Sequence, residues 1–564
     1  MAFQVSPGVQ IKEIDATNVI PAVSTSIGGF AGSFNWGPTE EVCLVGSENE
    51  LLEKFGTPDN NTAKYFLTAA AFLKYGNALK VVRVSSGHLN ATADGSGQLV
   101  KNEEDYDNNY SGGSLSKGNW VAKYPGVLGN SLKVSMVTAG VSTSNYNAWA
   151  FKGEFDEQPG TSDFAKDLGK TSAADELHIA VVDEDGAISG TPNTVLEKFA
   201  FVSQGSDVKN ADGTSNFYKD VINAQSEWIY WADHDTSLTD AGETVASQSG
   251  AMTTNTAVLD SSLAGGTDDN APTVGEIALG YDLFEDAETV DINLLFAVPD
   301  ANGANTIAND LISIATARKD CMAFVSPPLE DSVGASAPST DVLAFANTLT
   351  SSSYASCDSG AVYVYDKYND VYRYIGASGH MAGLCANADN VADAWFSPAG
   401  VNRGQLLGIT KLAYNPTKAQ RDELYKGRVN PIVSFPGQGT MLFGDKTLLS
   451  RPSAFDRINV RRLFIVLEKA IATAAKAQLF EFNDEFTRAQ FKNLVEPFLR
   501  DVKGRRGITD SLVICDGTNN TGQVIDSNRF VADIFIKPAR SINFITLNFI
   551  ATRTGVEFSE ISGQ

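Results

Sequence analysis

Histidine is scarce in this 564-residue chain. His88, His178, His234 and His380 are the whole complement, and none lies at a ligand or triad spacing from another. Imidazole-based metal and nucleophile chemistry needs such groupings, so neither is expected. Cysteine is equally thin. Cys43, Cys321, Cys357, Cys385 and Cys515 are odd in number and scattered, which argues against a disulfide framework and a zinc site and fits a reducing compartment. No stretch approaches the roughly 20 apolar residues that span a bilayer. The opening MAFQVSPGVQIKEID has neither the charged nor the apolar region of a signal peptide. A soluble, non-exported chain without membrane insertion is expected. Basic charge is also short: 43 Lys plus Arg face 68 Asp plus Glu, a net charge of −25. That balance argues against nucleic acid as a partner.

Cofactor motifs fail one by one. GTMLFGDKT at 439–447 comes near a phosphate-binding loop, but Asp445 stands between glycine and lysine and would oppose a phosphate, so a glycine-rich turn between strands is expected. VDEDG at 182–186 and DHD at 233–235 do not follow the calcium-loop spacing and read as solvated turn acids. GASGH at 376–380 lacks the second spacer of a nucleophile elbow, which leaves Ser378 as a loop serine and His380 as a satisfied histidine. No cofactor, no metal and no catalytic residue is assigned.

What the chain does have is size and an uneven charge. With 43% hydrophobic and 10% aromatic residues it can bury more than one core, and two to four domains are expected. Residues 401–564 hold 23 basic and 16 acidic side chains, or +7, which leaves −32 for residues 1–400.

The first twenty residues alternate Phe3, Val5, Val9 and Ile11 with polar positions around Pro7-Gly8, the pattern of an added or edge strand. Elements of a mixed α/β fold follow: strands near Ile27–Phe30 and 42–45, a helix capped by Ser47 with Glu50 and ended by Gly56, a helix over 62–75 and a strand over 79–85. Residues 88–275 are rich in Gly, Ser, Thr, Asn and Asp and read as a solvated, loop-rich insertion domain with strand-like pieces at 131–137 and 199–202. A βαβ unit is predicted from strands at 291–299 and 321–327 flanking a helix at 304–319, so those strands should be parallel. From Trp395 onward a long buried helix is expected over 455–480. A second starts at Asn483, kinks or restarts at Pro497 and ends at Gly504. Strands at 511–515, 530–536 and 542–552 close the chain.

Several stretches carry a resemblance: SPGVQIKEID, VSTSIGGFAGSFNWGP, YPGVLGNSLKV at 124–134, LAGGTD at 263–268, NPIVSFPGQGTMLFGDKTL and FDRINVRRLF. In order along most of the chain they resemble the tail sheath proteins of contractile bacteriophages. GDKT at 444–447 stands where that family commonly has GART, and residues 136–262 carry no recognised motif.

The resemblance implies a multidomain sheath fold of mixed α/β class, its core built from the N- and C-terminal parts. Expected divisions are an arm at 1–20, an α/β part at 21–88, a middle domain at 89–394 with an outer β-rich insertion at 136–262, a C-terminal core at 395–528 and a β-strand arm at 529–564. It also implies a non-enzymatic subunit of a helical homopolymer in hexameric rings around an inner tail tube protein, with baseplate and tail terminator proteins as partners. The tail of a virion, assembled in the host cytoplasm, is the expected location.

Strand exchange is expected to use Phe3, Val5, Val9, Ile11, Ile534, Ile536, Ile542, Phe544, Leu547 and Phe549, because unpaired edge strands are a liability in a monomer and useful in a polymer. Lys503, Arg505 and Arg506 are expected either to complement their helix end or to face the tube. A sheath of a tailocin or other injection system, a virion adhesin or decoration protein, and an α/β enzyme suggested only by the βαβ unit are the competing readings.

Overall fold

A computed structural model describes residues 23–84, 87–269, 271–299, 305–543 and 546. Among these the chain divides into two compact units, one of residues 23–394 with 398–461 and one of 395–397 with 462 onward.

The larger unit is organised by a seven-stranded sheet. Its order is Val429–Asn430, Ala355–Asp358, Met322–Val325, Leu294–Phe296, Gly28–Gly32, Leu79–Arg83 and Val42–Val45. Neighbours are parallel except the last pair, and the expected βαβ unit is present with the helix Thr306–Arg318 between its parallel strands. Parallel strands covered on both faces must be apolar throughout, which is why GGFAG, LLF and MAFV are buried along their whole length. Gly28 leaves room that a side chain would close: a Cβ there would lie 2.8 Å from the Leu79 side chain and 2.9 Å from Phe72. Phe296 sits between Phe30 and Phe72, with both ring centroids 5.3 Å away.

The helix Glu48–Phe55 begins and ends as expected. Ser47 accepts from the Glu50 amide, and Gly56 takes φ +75°. The Glu50 carboxylate, however, accepts from the Gly46 amide at 2.8 Å, so the reciprocal half of the capping box is absent.

GASGH is not a loop. Ser378 is the first residue of the helix Ser378–Val391 and is wholly buried, donating to Ala297 O at 2.6 Å. Its amide donates to Ser326 Oγ, which itself donates to Asp358 Oδ2 at 2.5 Å, so one polar chain ties the helix start to the ends of three strands. His380 lies 3.1 Å from Tyr75 Oη, and burial holds its imidazole down to about 3, in the neutral form.

GDKT likewise departs from expectation. Gly439–Leu442 is a strand paired with Ile432–Phe435, and Asp445 beyond it is buried, with its oxygen 3.4 Å from Arg457 Nη1. Lys446 donates to Tyr425 O at 2.6 Å, so both side chains of the false phosphate motif are used inside the fold.

The stretch 88–275 proves to be well packed. A four-stranded sheet runs Thr194–Ser203, Glu176–Asp183, Leu132–Thr138, Leu259–Ser262, beside a ribbon of Trp120–Ala122 and Ile229–Trp231. Its two central strands are covered on both faces. Leu132, Val134, Met136, Leu177, Ile179 and Val181 join a core with Trp36, Trp120 and Trp231, while Val137, Ala180 and Val182 join a second with Trp149 and Phe155. Polar composition concealed this because the apolar residues are concentrated in a few strands and aromatic anchors. The expected limits 136 and 262 fall inside paired strands, with Met136 opposite Leu259 and Lys133 opposite Ser262.

The stretches YPGVLGNSLKV and LAGGTD meet at the base of this region. Asn130 exchanges two hydrogen bonds with Gly266, Asp268 accepts from the Val127 amide, and Arg83 donates to Phe34 O and Gly37 O from a fully buried position.

In the smaller unit, the helix Glu485–Gly504 is capped by Asp484, one residue after the expected Asn483, and runs through Pro497 without a break. Thr487, Phe491, Val495, Leu499 and Val502 form its buried stripe, and Pro497 lies on the exposed side. Gly504 is still helical; Arg506 takes the left-handed turn at φ +67° and Gly507 donates back to Val502 O. A hairpin of Ile508–Ile514 and Asp533–Pro538 packs on this helix.

Two outcomes follow. Burial raises the Asp358 carboxyl to about 7, against about 4 in an unfolded chain. Its contribution to stability is therefore full below pH about 4 and is lost as pH rises through about 7, by up to about 1.4 kcal/mol per pH unit. Asp358→Asn should flatten that dependence in urea unfolding at pH 4.5, 6 and 7.5. Excising 136–262 should strand Leu132, Val134 and Leu263, all buried, without their partners and yield insoluble protein. Soluble yield and near-ultraviolet circular dichroism check it.

Candidate assembly interface

The C-terminal hairpin is a ribbon of two strands among the described residues, so the outer edge of each strand is unpaired there. Such edges accept further strands. Within it Val513 lies opposite Ile534 and Ser511 opposite Ile536. Ile534 and Ile536 are half-buried, on the face they share with buried Val513. The opposite face is the bare one: Leu512 and Phe535 are cross-strand partners and both exposed. Sequence reasoning missed this pair, although the strict alternation of DIFIKP carried the signal, because nothing in the sequence says which face meets the helix. Ile542 is exposed. Phe3, Val5, Val9, Ile11, Phe544, Leu547 and Phe549 lie outside the described residues, as do the arm at 1–20 and most of the strand expected at 542–552.

Lys503, Arg505 and Arg506 are brought together at the helix end and all are exposed. Lys503 Nζ is 3.6 Å from Asp510 Oδ1, and Lys503 is the main cause of the depressed Asp510 carboxyl. Arg505 reaches Asp501 at 3.7 Å and lies 5.1 Å over the Trp395 ring, whose indole donates to Arg505 O. Local acids thus answer part of this charge, and Arg506 projects from the turn.

Among the described residues there is no group of three His, Cys, Asp or Glu side chains able to hold a metal, and no helix is long and apolar enough to cross a membrane. The arrangement offers backbone edges, bare apolar side chains and a charged helix end.

Three family models match: the tail sheath protein Gp18 domain III N-terminal region over 25–84, the phage tail sheath protein central domain over 276–448 and the phage tail sheath C-terminal domain over 450–552. The tail sheath protein of Vibrio phage KVP40 is 34% identical, covering 99% of both chains, and that of Enterobacteria phage T4 is 33% identical with the same coverage. The chain belongs to the tail sheath protein family. It is a structural subunit of a contractile tail sheath, a component of the virion tail.

Solved sheath proteins show the same fold at low identity. The helical sheath of the anti-feeding prophage in its contracted state is 13% identical with a TM-score of 0.52, covering 98% of this chain and 100% of that one. The sheath tail protein Lin1278 from Listeria innocua is 12% identical with a TM-score of 0.52, covering 92% and 96%. That anti-feeding prophage protein is seen as a helical sheath. The three matched regions leave residues 85–275 between the first two, the packed region with Trp120 and Trp149 in two of its cores.

Proposed function

We propose that copies of this chain form stacked hexameric rings around an inner tail tube, joined by strands that complete one another's sheets, and that the array shortens to drive the tube through the host envelope. The observation that carries this reading is the C-terminal ribbon with its unpaired outer edges. A strand from a neighbouring arm, with Phe3, Val5, Val9 and Ile11 on one side or Phe544, Leu547 and Phe549 on the other, would supply backbone partners along such an edge. A contact between unlike surfaces repeats into an open helix, as a sheath requires. Contraction then needs no cofactor and no catalysis, because rigid subunits exchange one packing for another while the arms keep them linked. Baseplate and terminator proteins would close the two ends of the array, which assembles in the host cytoplasm.

The helix end at Lys503, Arg505 and Arg506 is proposed to face the tube. One exposed charge pair contributes only ~0.2–1 kcal/mol, and repetition along the array supplies the rest by avidity. Contacts of that strength also release readily.

Deleting residues 1–13 should leave thermal unfolding of the described core nearly unchanged and abolish ordered tubes in electron micrographs; regular tubes from the truncated chain would end the strand-exchange idea. Reversing Lys503, Arg505 and Arg506 together to Glu should weaken co-sedimentation with preformed tail tubes while tube-free polymerisation persists. Salt should act in the same direction, since exposed charges are screened beyond about 8–10 Å at physiological ionic strength. Equal tube binding by wild type and the triple variant at every salt concentration would return the cluster to a helix-end role.

A further inference from the structure

The loop between the helices Ile458–Ala475 and Glu485–Gly504 presents bare hydrophobic side chains. Leu479, Phe480, Phe482 and Phe486 are exposed by 63%, 105%, 84% and 75%. Four large apolar side chains within eight residues form a patch of the kind that marks an interaction site. Its backbone is pinned. Asn483 Nδ2 donates to Arg529 O at 2.8 Å and to Asn520 Oδ1 at 3.2 Å, Arg488 donates to Asn483 Oδ1 at 2.8 Å, and Asp484 accepts from the Thr487 amide at 2.8 Å. Phe480 is held at φ +69°, a left-handed conformation that a bulky residue rarely adopts and that persists only where surroundings impose it. A loop so braced, with its aromatic rings turned to solvent, is organised to meet something.

Charge and position say what. Glu481, Asp484 and Glu485 put three acids among the apolar residues, with no base before Arg488. The rest of the smaller unit from 462 onward holds 13 basic side chains against nine acidic ones, so a complement to this loop exists in the same unit of another copy. Asn520 and Arg529, which anchor the loop, lie in the link joining the two strands of the C-terminal ribbon, so the patch is continuous with that ribbon. We infer that Leu479–Phe486 is a docking knob that seats against a base-rimmed apolar surface on the C-terminal unit of the next copy. The contact is heterologous, knob against socket, and supplements the exchanged strands with apolar burial that backbone pairing does not provide. This inference rests on the homopolymeric sheath reading.

The test uses the full chain with p-benzoylphenylalanine in place of Phe482. Illumination of assembled sheaths should produce a ladder of covalent oligomers, with the crosslinked peptide mapping to residues 395–564 of a second copy. Normal sheaths that give no ladder, or crosslinks only to the tail tube protein, would overturn the knob and leave the sheath reading standing; absence of sheaths from the wild-type chain would instead count against the sheath reading. Phe480→Ser with Phe482→Ser should raise the protein concentration needed for polymerisation by about tenfold at unchanged melting temperature. Glu481→Lys with Glu485→Lys, which removes no apolar packing, should raise it in the same direction. Polymerisation at the wild-type concentration by the charge-reversed variant would remove the complementarity on which the inference stands.

Discussion

The parallel pairing of Gly28–Gly32 with Leu294–Phe296 joins positions 266 apart in sequence, and everything in the larger unit is arranged around it. Closing so large a loop carries an entropic cost, which grows only slowly with length. What offsets it is local: full burial of both strands, the Phe30, Phe296 and Phe72 rings, and a glycine at 28 that lets Leu79 and Phe72 approach. Once the two ends of the excursion are held side by side, residues 88–275 pack within the same unit, with Trp36 of the preceding strand region joining their core. Within the region Asn130 meets Gly266 and Asp268 caps Val127, while Lys101 and Asn102 tie it to Glu40 and Thr39.

Strands and aromatic side chains explain why a region of polar composition is so well packed. Residues 87–274 carry 27 acidic side chains and 10 lysines, with no arginine, and their surface is strongly acidic. Alternate positions of two central strands feed separate cores on opposite faces, one with Trp36, Trp120 and Trp231 and the other with Trp149. A deeply buried network at Asp358, Ser326 and Ser378 performs a comparable task in the main sheet, linking a helix start to strand ends through directed hydrogen bonds.

The smaller unit follows a different logic. Its helix Glu485–Gly504 buries one stripe, while the ribbon beside it, the Leu512 and Phe535 pair and the loop at 479–486 leave edges and aromatic rings exposed. A monomer gains nothing from such surfaces and risks aggregation. In the proposed array each would be half of a contact, and many individually weak contacts would add along it.

The sequence by itself determined the class of the protein and most of its elements. Local signals sufficed for the strand Val42–Val45, the Ser47 cap and the βαβ unit, because capping and periodicity are properties of neighbouring residues. The ordered family stretches did the rest. Only the tertiary structure decided the matters that depend on what a residue meets across space. It placed Ser378 at a buried helix start and carried the helix straight through Pro497, whose ring lies on an exposed side. It turned Ile534 and Ile536 toward the covered face and left Leu512 and Phe535 bare, because a period-two strand reads the same whichever face is covered.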